Sequence, residues 1–221
     1  MMKTLTNIET PFHQKFGIPR QPLLVREAWG KMVFPKENFY VEAFRGIEKF
    51  SHLWLIFQFH SFKEEKVSSL VSPPRFDGQK KLGVFATRSP FRPNHMGLSV
   101  VEFDRLEVKQ NSIELWVRGV DLLNGTPIYD IKPYIPYCDS IPDARAEMFE
   151  EKPKMHEVIW EVEAPPEKAM IEKVIAMDPR PGHYKFLDRE HAILIADWNV
   201  KFRLVKETFV IHGVEKNPAL T

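Results

Sequence analysis

Two arginines, Arg88 and Arg92, stand four positions apart in the segment GVFATRSPFRPN, which spans residues 83–94. Pro90 and Pro93 restrict the backbone around them, because a proline ring fixes φ at about −65°. A guanidinium held in a fixed direction suits two-point binding of a carboxylate or a phosphate. The segment therefore predicts an anion-binding loop. The alternative is that both arginines only cap carbonyl groups or pair with acids such as Asp121.

The same region is rich in positive charge. Residues 75–92 contain five basic side chains and one acidic side chain, whereas the whole chain has a formal net charge of only +1. A phosphate-bearing partner could dock there, although an ordinary solvated basic face gives the same pattern. The candidates for phosphate contact are Arg75, Lys80, Lys81 and Arg92.

Two further segments combine polar residues with restricted backbone between apolar runs. In GIPRQPLL, residues 17–24, Arg20 and Gln21 lie between two prolines. In VDLLNGTPIYDIKPYIPY, residues 120–137, the pair Asn124-Gly125 predicts a tight turn and is followed by Asp130. Rigid loops on a β scaffold are where binding sites commonly form, so both segments are candidate site loops.

Several chemistries are excluded by motifs that the sequence lacks. None of the ten glycines lies two positions from another, so the dinucleotide-binding fingerprint cannot be formed. CxxC, HExxH and GxSxG are absent, which removes the usual zinc, metalloprotease and serine-hydrolase signatures, and no metal site is predicted. No apolar stretch is long enough to span a bilayer, and the first residues lack the apolar core of a signal peptide. We expect a cytoplasmic protein without membrane contact.

Strand signals dominate residues 1–135, where β-branched and aromatic runs, among them KLGVFAT at residues 81–87, are bounded by Gly, Pro or Asn. Short strands without alternating helices favour a sandwich or a barrel. A proline-rich, acidic stretch near residues 140–155 suggests a boundary between a first domain, 1–145, and a smaller one, 146–221. The smaller domain is predicted to hold one strand, a helix ending near Met177 and two closing strands.

Six motifs occur together in register: PRQP, FSHLWLIFQFH, PPR, GVFATRSPFRPN, GLS and NGTPIYDIKPYIP. In this order and spacing they resemble the TsaA-like family, also called YaeB or TrmO, over roughly residues 3–140. DPRP and WNVKFR, in the last third of the chain, extend the resemblance to full-length bacterial members. The fold implied is mainly β, with an N-terminal β-barrel and a smaller α+β C-terminal domain.

The resemblance also implies an activity. Members are S-adenosylmethionine-dependent tRNA methyltransferases, so this chain would methylate N6 of threonylcarbamoyladenosine at position 37 of threonine tRNA. The cofactor would be held by the barrel, which agrees with the missing glycine motif, and two subunits of a homodimer would build the pocket. The family's cofactor contacts would fall on Pro19, Arg20, Gln21, His60, Ser61, Arg88, Leu98, Leu122, Leu123, Asn124 and Gly125.

This sequence departs from the family pattern at three places. Ser61 stands where relatives often have Gln, Asn124 stands where they have Asp, and RPNHMG replaces RPNPIG. Asn124 still offers an oxygen to a ribose or amino group, but it carries no charge. The transfer of a cofactor contact is therefore weakest at these positions.

Few catalytic side chains are needed, because a sulfonium methyl is already activated and alignment with exclusion of water does most of the work. The acceptor nitrogen is part of a urea-like group, so a nearby proton acceptor would help. Asp130 is the candidate, and the alternative is a buried structural Asp bonded to the backbone of residues 129–133.

The tRNA would be bound at its anticodon stem-loop, through phosphate contacts and a stacked base. Residues 180–206 carry six basic and three acidic side chains. Arg180, Lys201 and Arg203 are therefore candidate tRNA contacts, unless the smaller domain only supports the barrel. Two rival functions remain: a noncatalytic RNA-binding barrel and a methyltransferase of a small-molecule acceptor.

Overall fold

The computed structural model describes residues 2–61, 67–73, 80–180 and 189–218. Six antiparallel strands close into a barrel in the order β1-β2-β7-β6-β3-β8, and β8 pairs with β1 to complete the circle. The strands are β1 (Thr6–Glu9), β2 (Trp29–Pro35), β3 (His52–Gln58), β6 (Met96–Val108), β7 (Ser112–Arg118) and β8 (Thr126–Pro133).

Alternating side chains fill the barrel interior, as the period of two in a β-strand requires. On β3, Leu53, Leu55 and Phe57 are buried while the residues between them are partly exposed. Each fully buried side chain of this kind contributes about 1.5–3 kcal/mol to folding. Because apolar side chains occupy the interior, a bound ligand has to lie at the rim or on the outer surface. The expected mainly β fold with an N-terminal barrel is confirmed.

The strand expected at residues 81–87 is wrong in most of its length. Only Leu82–Gly83 forms a strand, β5, which pairs with β4 (Leu70–Val71). A single 3-10 turn follows at Val84–Ala86, and both the backbone N–H and the hydroxyl of Thr87 donate to the Val84 carbonyl. These local bonds override the β propensity of the sequence, so Arg88 lies in a loop and not at the end of a strand.

A second sheet is built from the last part of the chain in the order β10-β11-β12-β9. Its strands are β9 (Glu157–Trp160), β10 (His191–Ile195), β11 (Trp198–Val205) and β12 (Thr208–Lys216). The helix α3 (Lys168–Ala176) buries Met170, Ile171, Val174 and Ile175. This α+β unit is as expected, except that β10 was not foreseen. Two short helices, α1 (Asn38–Ala43) and α2 (Pro136–Asp139), lie in loops of the first part.

The segment 11–27, which contains the PRQP loop, connects the barrel with the second sheet. The Ala196 N–H donates to the Pro11 carbonyl at 2.7 Å, and Lys173 forms an ion pair with Glu27 at 2.5 Å. Gly17 has φ +83° and lies so close to β10 that a Cβ there would stand 2.4 Å from the Ile193 Cδ1. The second sheet therefore supports the loop that carries Arg20 and Gln21.

Candidate functional site

The Arg88 side chain joins two of the candidate loops. Its Nη1 donates a hydrogen bond to the Gln21 Oε1, across 67 positions of sequence. Arg88 is exposed and Gln21 is half-buried, so the pair lies on the surface. Because a guanidinium has five N–H donors, one bond to Gln21 leaves it able to bind further acceptors.

Arg92 has a different role from Arg88. Its Nη1 donates to the carbonyls of Thr87 and Ser89, at 3.2 and 3.0 Å, so it ties the loop to itself. The His95 ring bonds the Pro90 carbonyl at 2.8 Å and closes the same loop. The capping interpretation therefore holds for Arg92, which caps carbonyl groups. Arg88 instead reaches across to another loop.

The turn at residues 122–125 is tied to the segment that follows β1. The Thr10 hydroxyl donates to the Leu122 carbonyl at 2.9 Å, and the Thr10 N–H donates to the Asn124 Oδ1 at 2.9 Å. The side-chain oxygen that the sequence offered for a ligand is therefore already engaged by the fold. Leu122 is buried, whereas Leu123 and Gly125 are partly exposed. A ligand at this turn would meet mainly the last two.

His60 lies beside Gly125, because a Cβ added to that glycine would stand 4.0 Å from the His60 Nε2. Burial lowers the pKa of His60, and the nearby Lys15 ammonium lowers it further. Lys15 is held in place by a 2.6 Å hydrogen bond to the Ser61 carbonyl. The imidazole is therefore neutral at pH 7 and offers one donor and one acceptor to a neighbour.

Leu98 and Ser99 are successive residues of β6 and point in opposite directions. Leu98 is 55% exposed on the outer surface and pairs with Ile56 of β3. Ser99 is buried, and its hydroxyl donates to the Asp121 Oδ1 at 2.7 Å. β6 therefore presents an apolar side chain to solvent at the point where it holds a carboxyl group on the other side.

Asp121 is a further residue of the candidate site, although its sequence context shows only an acid able to pair with the arginines. Burial raises the pKa of its carboxyl to about 6, against the opposing effects of the Ser99 hydroxyl and the Arg88 charge. At pH 7 the ionised carboxylate is thus retained at a cost in folding free energy, which is common for functional residues. In the sequence, its position directly before the candidate residues LLNG is the feature that could have identified it as a site residue.

Pro19 and Arg20 complete the first loop. Pro19 is buried, and the Arg20 Nη2 lies 3.5 Å from the Asp178 carbonyl of the second sheet's unit. The candidate residues thus come from four places: the loop at 19–21, the end of β3, the loop at 88 and the turn at 121–125. Arg88 links two of them through Gln21 and acts electrostatically on the third through Asp121.

Asp130 is placed differently from the expectation. It lies within β8 opposite Ile56, its Oδ2 pairs with the Lys132 Nζ at 2.7 Å, and its Oδ1 accepts the Ile131 N–H at 2.9 Å. The backbone bond of the structural alternative is present, but the side chain is 44% exposed and not buried. The carboxylate is engaged by Lys132 and its own strand, and the role of Asp130 as the proton acceptor stays a prediction.

Two family models match the chain: the tRNA-methyltransferase O N-terminal domain at residues 7–140 and the TrmO C-terminal domain at residues 147–217. The chain belongs to the TrmO family. It is 37% identical to a tRNA (adenine(37)-N6)-methyltransferase of Escherichia coli over 94% of both chains. A protein of the same name from Eikenella corrodens is 43% identical over 75% of this chain and 97% of its own length. A crystal structure of TrmO from Pseudomonas aeruginosa superposes with a TM-score of 0.79 at 33% identity, covering 97% of each chain.

The basic residues proposed for tRNA contact fall into two groups in this TrmO-family chain. Lys80 and Lys81 are exposed beside β5, and Arg75 lies outside the described residues. Lys201 and Arg203 lie on one face of β11, where they form surface ion pairs with Glu215 and Glu161 at 2.7 and 3.1 Å. Exposed pairs of this kind contribute little to stability, so the cations can exchange partners.

Arg180 is not available to a phosphate. It is 7% exposed, and its Nε and Nη2 donate to the two carboxylate oxygens of Asp178 at 2.7 and 3.1 Å. Its guanidinium also stacks over the Phe209 ring at 5.4 Å. The expected tRNA contact at Arg180 is therefore wrong, because the DPRP motif builds a buried ion pair that holds Asp178 in a left-handed conformation with φ +53°.

Within the part of the chain that the structure describes, no three His, Cys, Asp or Glu side chains are placed to bind a metal ion together. Across the same residues, no helix is long and apolar enough to cross a membrane.

Proposed function

We propose that this protein transfers the methyl group of S-adenosylmethionine to N6 of threonylcarbamoyladenosine at position 37 of threonine tRNA. The names of the E. coli and E. corrodens relatives, both tRNA (adenine(37)-N6)-methyltransferases, support transfer to N6 of adenine 37. The observation that carries the proposal is the convergence of Arg88, Gln21 and Asp121 at the barrel rim. That convergence joins three sequence segments that match the family's cofactor loops.

The residues at this rim suit S-adenosylmethionine chemically. Gly125 leaves room beside the neutral His60 ring, where an added Cβ would lie 4.0 Å from the Nε2. Arg88 can bind the carboxylate of the methionine part while it stays bonded to Gln21, and the exposed Leu98 offers an apolar contact. When bound, the cofactor supplies a methyl group activated by its sulfonium. These residues would hold it, orient it and exclude water.

The modified base would be read in a single-stranded loop, where bases can leave the stack and pack on aromatic rings. Phe85 fits this role, because it is 78% exposed and lies three positions before Arg88. The Arg92 guanidinium stands 6.0 Å from the Phe85 ring centre, which limits the orientations of the ring. We assign Phe85 as the stacking partner of the target base.

The first test is transfer of labelled methyl to two matched threonine tRNAs, one with and one without the threonylcarbamoyl group on adenosine 37. We expect incorporation only into the modified tRNA, since its urea-like nitrogen is the acceptor. Incorporation into neither, with cofactor binding confirmed by calorimetry, would leave a methyltransferase of another acceptor such as a small molecule. Neither incorporation nor binding would favour a noncatalytic RNA-binding barrel.

The outer face of β11 is proposed to contact the anticodon stem through Lys201 and Arg203. Replacing both with alanine removes two phosphate contacts, so the slope of log affinity against log salt should become shallower by about 1.8. Filter binding at several salt concentrations measures this slope. Replacement of Lys154 and Lys168, two exposed lysines of the same unit, is the matched control for lost charge. Equal slopes in both double variants would mean that this face does not contact tRNA and that the smaller domain only supports the barrel.

Two copies are proposed to form the active assembly in the cytoplasm. Leu70 of β4 and Leu98 of β6 are each more than half accessible. Exposed apolar side chains of this size suit contact with a second subunit. Light scattering on the enzyme used for methyl transfer would give the mass of two chains, and the mass of one chain would exclude the dimer.

A further inference from the structure

Basic side chains outnumber acidic ones among the residues named here for the proposed cofactor site. Arg88, Lys15 and Arg20 bring positive charge to its loops, through bonds to Gln21 Oε1, Ser61 O and Asp178 O. The carboxylate of Asp121 lies within electrostatic reach of Arg88. Its half-buried position lowers the local dielectric constant, so its charge acts more strongly on a neighbour than a surface carboxylate would.

Asp121 lies next to two of the segments that would surround the cofactor. On one side is the Arg88 loop, whose charge reaches the carboxyl group. On the other side is the turn that begins at Leu122, while the Ser99 hydroxyl fixes the Oδ1 at 2.7 Å. In S-adenosylmethionine the sulfonium lies between the methionine and adenosine parts. After transfer the product is S-adenosylhomocysteine, in which this sulfur is an uncharged thioether.

We propose that Asp121 is the residue by which the site prefers the cationic methyl donor to its neutral product. This inference rests on the proposed function, because it assumes S-adenosylmethionine as the cofactor. The carboxylate attracts the sulfonium in the bound donor and gains nothing equivalent from the thioether. Product release is thereby favoured after each transfer. Ser99 is a positioning residue, which holds the carboxylate without contributing charge.

The test compares dissociation constants of the two compounds, measured by calorimetry at pH 7.5, for the wild type and for Asp121→Asn. Asparagine has nearly the same shape and keeps an oxygen for the Ser99 hydroxyl, but it has no charge. We expect the preference for S-adenosylmethionine over S-adenosylhomocysteine to fall about tenfold, with most of the loss in the donor. Ser99→Ala, which keeps the charge, should retain the preference.

Three results would overturn the inference. Equal weakening of both compounds would mean that Asp121 serves the shared ammonium group or the shape of the site. An unchanged preference would mean that its charge does not act on the sulfur. A wild-type chain that binds neither compound would overturn the proposed function itself, which makes that failure distinguishable from the first two.

Loss of the fold can be separated from loss of the charge. Burial raises the pKa of Asp121 to about 6 from its ordinary value of 3.8. Between these values the folded chain binds more protons than the unfolded chain, so this group stabilises the fold less as the pH rises. Asp121→Asn should accordingly keep or raise the melting temperature at pH 7.5. If Asp121→Asn binds S-adenosylmethionine more weakly but is at least as stable as the wild type, the loss of affinity comes from the binding site and not from the fold.

Discussion

Replacing Arg88 with alanine is expected to weaken S-adenosylmethionine binding about 100-fold. The guanidinium joins the 19–21 loop to the loop after β5 through Gln21, and its charge favours the ionised form of Asp121. Its removal leaves the Gln21 oxygen without this donor and the carboxylate without this cation. A hydrogen bond to a charged group contributes about 1.5–3 kcal/mol, and a 100-fold change in affinity corresponds to about 2.8 kcal/mol. Isothermal titration calorimetry measures the effect.

Two controls accompany this variant. Arg88→Lys keeps the positive charge but loses the planar fork, so it should recover only part of the affinity. The melting temperature of Arg88→Ala should stay close to that of the wild type, because the side chain is exposed. Unchanged affinity in a folded Arg88→Ala variant would remove this residue from the site.

Replacing Gly17 with alanine is expected to lower the free energy of unfolding by about 2–5 kcal/mol. A left-handed φ of +83° costs an alanine about 1–2 kcal/mol, and overpacking adds about 1–3 kcal/mol, since the new Cβ would stand 2.4 Å from the Ile193 Cδ1. Chemical denaturation measures the change. Cofactor affinity should fall with it, because the displaced segment leads directly into Pro19, Arg20 and Gln21.

Gly46 provides the matched control for backbone strain alone. Its φ is +89°, and a Cβ there would meet nothing within 4 Å. Gly46→Ala should therefore show only the conformational cost of about 1–2 kcal/mol and leave cofactor binding unchanged. If the two glycine variants lose equal stability, close packing between the 11–27 segment and β10 is not what supports the loop.

The strands of the barrel could largely be predicted from the sequence, because their alternation of apolar and polar residues is a local property. β3 and β7 show this period, since every second residue, such as Leu53 in β3 and Leu115 in β7, is buried. The segment KLGVFAT, residues 81–87, is apolar like the barrel strands, but most of it forms a turn. The hydrogen bonds from Thr87 to the Val84 carbonyl stabilise the turn, and such bonds cannot be read from the composition of a segment.

Residue type and spacing indicate the mainly β class, the family resemblance and the loops that carry the candidate site, because these are local properties of the chain. Which side chains meet depends on the tertiary structure. It separated Arg88 from Arg92, placed Asp121 between Arg88 and Ser99, and engaged Asp130 with Lys132. It also buried Arg180 against Asp178, although the sequence presents it as one of several cations. Burial and partners arise from contacts between distant segments, and a charged residue takes its role from those contacts.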